Sequence, residues 1–236
     1  MGSTTRTSWY AAAALLILSG LFLAAAAAVR WYPCLGHLAD PVCIARQSRT
    51  YEYLAPTQRS NALPATVVLA GLGLLLLAAS WPPLVRRLDV RPGLRIALAA
   101  IMMVKPLLLG GLVLAAPLLG GLPRGASPVL LGVEIALDLA ALGLVLAVPS
   151  HLLVDYQRLL VAAVAFWLVG WVGQVLDALI FSLLTSEGES APGSGLLTAE
   201  LVVCCGVGVA LITAHTRKRE SPAPAARDPL EGARHG

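Results

Sequence analysis

Six side chains able to do chemistry lie within stretches that are otherwise apolar: Lys105, Glu134, Asp138, Gln174, Asp177 and Glu200. Glu134 and Asp138 stand four apart in GVEIALDLA, residues 132–140. That spacing puts both carboxylates on one face of a helix. Gln174 precedes Asp177 by three, which again shares a face. Carboxyl groups held away from water can trade protons, act as general acids or bind a cation. Lys105 is the one amine placed among them and supplies an internal counter-charge.

The setting of these residues is set by the bulk of the chain. It has 236 residues, of which 58% are hydrophobic and 13% charged, and its mean hydropathy is +0.79. Soluble domains carry roughly 25% charged residues. So little polar surface cannot cover a globule in water. The fold class expected is therefore all-α: a polytopic integral membrane bundle in the cell (plasma) membrane, with the lipid bilayer as its first partner. The wealth of Ala, Leu, Gly and Arg resembles a GC-rich bacterial coding bias.

A helix needs about 20 apolar residues to cross ~30 Å of hydrocarbon. Six stretches meet that length, at roughly 9–29, 63–80, 96–119, 128–149, 159–183 and 196–214. Trp9, Tyr10, Trp31, Tyr32 and Trp81 flank the first two and suit the headgroup level. With the N-terminus inside, eleven of the Lys and Arg residues fall in inner segments and five in outer loops. The positive-inside rule then places both termini in the cytoplasm. The apolar run from Ala11 to Val29 exceeds the roughly 7–15 residues of a signal-peptide core, so the first helix is expected to be uncleaved.

The loop 30–62 reads as an external cap closed by a Cys34–Cys43 disulfide, because both cysteines fall on the oxidising side. Residues 217–236, rich in Pro, Ala and Arg, read as a disordered cytoplasmic tail following a single transmembrane domain over 1–216. Cys204 and Cys205 are adjacent, point about 100° apart on a helix, and read as small apolar residues. No Cys-x-x-Cys pair is present, so the thiol arrangement of quinone-linked oxidases such as the vitamin K epoxide reductase family is not reproduced. No phosphate-binding glycine loop, serine elbow or zinc-protease motif occurs, and no metal site, cofactor or nucleic-acid partner is assigned. His151, Asp155 and Arg158 read as a solvated cytoplasmic turn.

Charged groups at the centre of a lipid-spanning helix cost roughly 2.5–3.5 kcal/mol each, so they face protein or a water-filled hollow. At 1.5 Å per residue, Glu134, Asp138, Asp177 and Glu200 come out about 6–15 Å below the outer boundary, with Lys105 near the midplane. Their shared depth predicts one acidic pocket between the third to sixth spans. Glu200 also has a simpler reading, since a carboxylate in the first turns of a helix is favoured by the dipole. Pro106, next to Lys105, predicts an interruption in the third span. GWVG at 170–173 and CCGVG at 204–208 read as close-packing sites.

Three functions follow. The first is binding or transport of a proton, a cation or a cationic small molecule at the acidic pocket. The second is a membrane-embedded enzyme using a buried carboxylic acid on a lipid-like, for example isoprenoid, substrate, with Phe166, Trp167 and Trp171 as flanking rings. The third is an accessory subunit or homo-oligomer whose polar residues pair with another membrane chain.

Overall fold

A segment entering hydrocarbon must satisfy every backbone N–H and C=O internally, and the helix does so. In the computed structural model the described residues are 3–34, 64–119, 126–149, 153–185 and 195–220, and every regular element among them is helical. These elements are α1 (Ser3–Trp31) with a 3-10 turn at Tyr32–Cys34, α2 (Pro64–Val85), α3 (Pro92–Leu119), α4 (Ala126–Leu146), α5 (Leu153–Leu168), α6 (Trp171–Thr185) and α7 (Leu196–Glu220). Five are long and apolar enough to cross a membrane, and α5 with α6 makes a sixth if the bent pair is one span.

The expected helix over 159–183 is not continuous. It breaks after Leu168, and Trp171–Asp177 leaves at 75° to α5. Gly170 sits in the break with φ +145°, a conformation that side-chain-bearing residues rarely adopt. The interruption expected at Pro106 does not occur: α3 runs unbroken from Pro92 to Leu119. Neighbouring helices let membrane helices tolerate proline, so composition alone misplaced the break. α7 continues through Glu220, four residues into the segment read as tail.

α1 lies between α2 and α7, α3 packs on α2, α4 on α3, and α5 on α7. Small residues let α1 approach both neighbours. Ser19 Oγ donates to Gly73 O at 2.7 Å. A Cβ at Gly206 would stand 2.7 Å from Ile17 Cγ1, 2.9 Å from Ile17 N and 3.0 Å from Ala13 O.

At the face where α1 begins and α7 ends, Ser8 Oγ donates to Pro83 O at 2.6 Å. There Arg158 is buried, which corrects its reading as part of a solvated turn. It reaches Asp155 Oδ1 at 2.6 Å and Thr216 Oγ1 at 2.7 Å, and its guanidinium lies 4.9 Å from the Trp9 ring centroid. One side chain thus ties α5, α7 and α1. His151 lies outside the described residues, as do most of the loop 30–62 and all of 221–236.

α4 is held differently. Its outer face exposes Val129, Leu131, Val133, Ile135, Leu139, Leu142 and Leu146. Its buried stripe is Glu134, Asp138, Ala141 and Val145. The two carboxylates occupy the first two positions of the packing stripe that is apolar further along.

Gly206→Ala should lower the melting temperature of the detergent-solubilised protein, because the obstructing atoms include backbone and overpacking costs about 1–3 kcal/mol. Gly111→Ala, where nothing lies within 4 Å of the added Cβ, should leave it unchanged or raise it.

Candidate functional site

The break between α5 and α6 leaves backbone groups without helical partners on both sides. Val169 N still donates to Ala165 O at 3.3 Å. The next carbonyl, Phe166 O, instead accepts from Lys105 Nζ at 3.3 Å. On the other side, Trp171 N donates to Glu134 Oε2 at 3.2 Å. A cation therefore caps the C-terminal end of α5 and an anion caps the N-terminal start of α6. Both match the sign of the helix dipole at that end.

The two charges are joined through Asp138. Lys105 Nζ lies 2.7 Å from Asp138 Oδ1. The indole Nε1 of Trp171 donates to Asp138 Oδ2 at 2.8 Å, and Trp167 Nε1 donates to the Asp138 backbone carbonyl at 3.4 Å. Lys105 is 1% exposed, and Glu134 and Asp138 are each 6% exposed, so water contributes little to their solvation. The ammonium also lies 4.7 Å from the Phe166 ring centroid, close enough for cation–π attraction. Phe166 in turn meets Trp81 edge-on, with centroids 6.2 Å apart.

Gly170 makes this arrangement possible. A Cβ there would fall 2.8 Å from both Lys105 Cε and Nζ and 3.1 Å from Glu134 Oε2. A side chain at 170 would have to displace the amine, and the positive φ would be strained as well.

The remaining residues of the expected pocket do not join this cluster. Asp177, on α6, is turned toward the start of α7. Its Oδ2 accepts from Gly195 N and from Thr198 Oγ1, both at 2.9 Å. It thus caps α7 from a neighbouring helix. Its Oδ1 is buried and has no hydrogen-bond partner. Beside it lies a pocket of about 80 Å³ between α1, α2, α7 and the α5–α6 elbow. Glu200 is exposed on α7 and pairs with none of the others among the described residues. Gln174 lies on α6, and its side chain is outside the described set. The four acids expected to share one hollow therefore divide: two with Lys105, one at a second pocket and one at the surface. The reason is directional. Residues at one depth on different helices can face different ways, and the 75° bend turns Asp177 toward α7.

Cys34 is fully buried, and its expected partner Cys43 lies outside the described residues. Cys205 is buried and Cys204 exposed, both as free thiols. Among the described residues no three His, Cys, Asp or Glu side chains converge to hold a metal ion. Gly170, Trp171, Thr198 and Arg158 were not singled out as site residues by sequence reasoning. The signal for the first two was local: Trp167 and Trp171 stand four apart and bracket a glycine.

The chain matches no protein-family model, no curated protein and no solved structure.

Removing one member of a buried ion pair costs on the order of 3–5 kcal/mol, because the other charge is left unpaired. Lys105→Leu should therefore strongly destabilise the protein in detergent. The double variant Lys105→Leu with Asp138→Leu should be more stable than the Lys105 single variant. Additive losses in thermal denaturation would show that the pair contributes no coupling.

Proposed function

We propose that this chain is a multi-pass membrane carrier or binding protein for a proton, a cation or a cationic small molecule, with Lys105, Asp138 and Glu134 as its charge-switching centre. The observation that carries this reading is the broken span whose two ends are capped by buried opposite charges. Discontinuous helices with their ends turned toward ions recur in secondary transporters. Here the protein's own Lys105 and Glu134 stand where a cation and an anion would be favoured. Protonating Glu134 or Asp138, or drawing Lys105 away, removes the charge that steadies one end of the break. The helix pair then has reason to move.

An enzyme acting on a lipid-like substrate needs a lipid-sized, aromatic-flanked pocket reaching an acid. The Asp177 pocket is small, and no aromatic residue lines it. The rings beside Asp138 are engaged in hydrogen bonds and close packing rather than framing a cavity. An accessory-subunit role would turn the acids outward, whereas Glu134 and Asp138 point into the bundle.

The test is flux. Proteoliposomes holding the full chain and a trapped pH dye should respond to an imposed potential, or to a gradient of sodium or an alkylammonium salt. Glu134→Gln and Asp138→Asn should each reduce that response at least tenfold. No response in the unmodified protein under any of these gradients would overturn the carrier reading. Unchanged responses in both variants would remove the acids from the mechanism.

The topology belongs to the same proposal. Cytoplasmic termini in a bacterial plasma membrane put the 30–62 loop, with its Cys34–Cys43 bridge, outside. A fluorescent protein fused after Gly236 should fold and emit, whereas a periplasm-dependent phosphatase placed there should be inactive. Reduction of the denatured protein should expose two thiols beyond Cys204 and Cys205. The opposite fusion pattern would invert the topology, and no gain in thiols would remove the bridge.

A further inference from the structure

We infer that the pocket beside Asp177 is a binding site for a small primary alkylammonium ion. Asp177 is 6% exposed, and its two oxygens differ. Oδ2 is engaged by Gly195 and Thr198, while Oδ1 is buried without a partner on a residue that lines the pocket. An ionised acceptor left unpaired in an apolar setting is costly, so the free oxygen calls for a donor. The lining holds no cationic side chain to provide one.

The elbow adds more acceptor character. Leu168, Val169 and Gly170 line the same pocket. They form the C-terminal end of α5, where carbonyls lack helical donors and the dipole is negative. The carboxylate and the dipole both repel an anion. A bare metal cation seeks about six or more oxygen ligands, but most of the wall is hydrocarbon, including Leu23, Ala27, Ala70 and Leu74. The pocket's polar corner fits an ammonium head, and its alanine- and leucine-lined remainder fits a short apolar tail. A volume of about 80 Å³ limits the guest to a few non-hydrogen atoms. This goes beyond the carrier reading and does not require transport, since binding alone tests it.

The experiment is calorimetric titration of the full chain in detergent with methylammonium, n-propylammonium, n-hexylammonium, tetramethylammonium, sodium and potassium chlorides. Propylammonium should bind more tightly than methylammonium, because of its apolar tail, and more tightly than hexylammonium, which is too long. The quaternary and metal ions should bind more weakly still. Asp177→Asn removes a charge-assisted hydrogen bond and should weaken propylammonium about ten- to hundredfold. Ala27→Leu keeps the carboxylate and shortens the pocket. It should weaken propylammonium more than methylammonium, and it decides the matter if Asp177→Asn, which also alters the α7 cap, does not fold. Equal affinity in folded Asp177→Asn, an unchanged chain-length preference in Ala27→Leu, or tighter binding of sodium or potassium would overturn the assignment. Binding as described without flux in proteoliposomes would leave this site standing and remove only the carrier reading.

Discussion

A helix that stops inside hydrocarbon uncovers backbone groups that water cannot reach, at several kcal/mol for each one left alone. The break between α5 and α6 is such a stop, and Lys105 and Glu134 answer it from α3 and α4. The compensation is mutual. Each side chain would on its own cost roughly 2.5–3.5 kcal/mol at a helix centre, and each helix end would be orphaned without its charge. Brought together, the amine finds a carbonyl and a carboxylate, and the carboxylate finds an N–H. Asp138 joins the two halves, with one oxygen on Lys105 and the other on the Trp171 indole. Neither the bend nor the buried charges can be removed singly without stranding a partner.

The same contacts explain how α4 belongs to the bundle. Lipid tails are as apolar as leucine, so burying an apolar face against protein gives a membrane helix little advantage. α4 leaves much of its apolar surface outward and presents Glu134 and Asp138 to α3 and α6. Membrane hydrogen bonds average only about 0.6 kcal/mol each. The strength here lies in their linkage: the residues on α4 hold the elbow, and the elbow satisfies those residues. On the opposite side, α1 is gripped by close small-residue packing against α2 and α7. One half of the bundle is thus fixed by shape and the other by charge.

Much of the architecture was legible because the bilayer imposes a length. Runs of about 20 apolar residues stand out from composition, and the observed helices overlap all six predicted spans. The break did not stand out. GWVG reads equally as a packing motif, and the φ of Gly170 follows from where Lys105 and Glu134 lie on other helices. Pro106 carried the stronger local signal, yet its helix is continuous. For the site, spacing put Glu134 and Asp138 on one face, but depth alone could not give direction around each helix axis. Lys105, Asp177 and Glu200 at similar depths therefore said nothing of which acid the amine would meet. Arg158 was legible as polar and at a helix start; its burial depends on Trp9 and Thr216, which are distant in sequence.

The charged centre and the Asp177 pocket share more than proximity. Gly170 touches the space of both, bordering Lys105 and Glu134 in one direction and lining the pocket in the other. α6 runs unbroken from Trp171 to Thr185, so Trp171 and Asp177, about 9 Å apart along its axis, move as one body. A change of charge at Glu134 or Asp138 acts on the Trp171 end of that body. Anything filling the pocket acts on the Asp177 end, against the start of α7. If α6 has two positions, both influences bias the same equilibrium, and linkage then requires each to alter the other's affinity by the same factor. A bend held by charge at one end and by a cap with one free oxygen at the other provides the mechanical condition for that exchange.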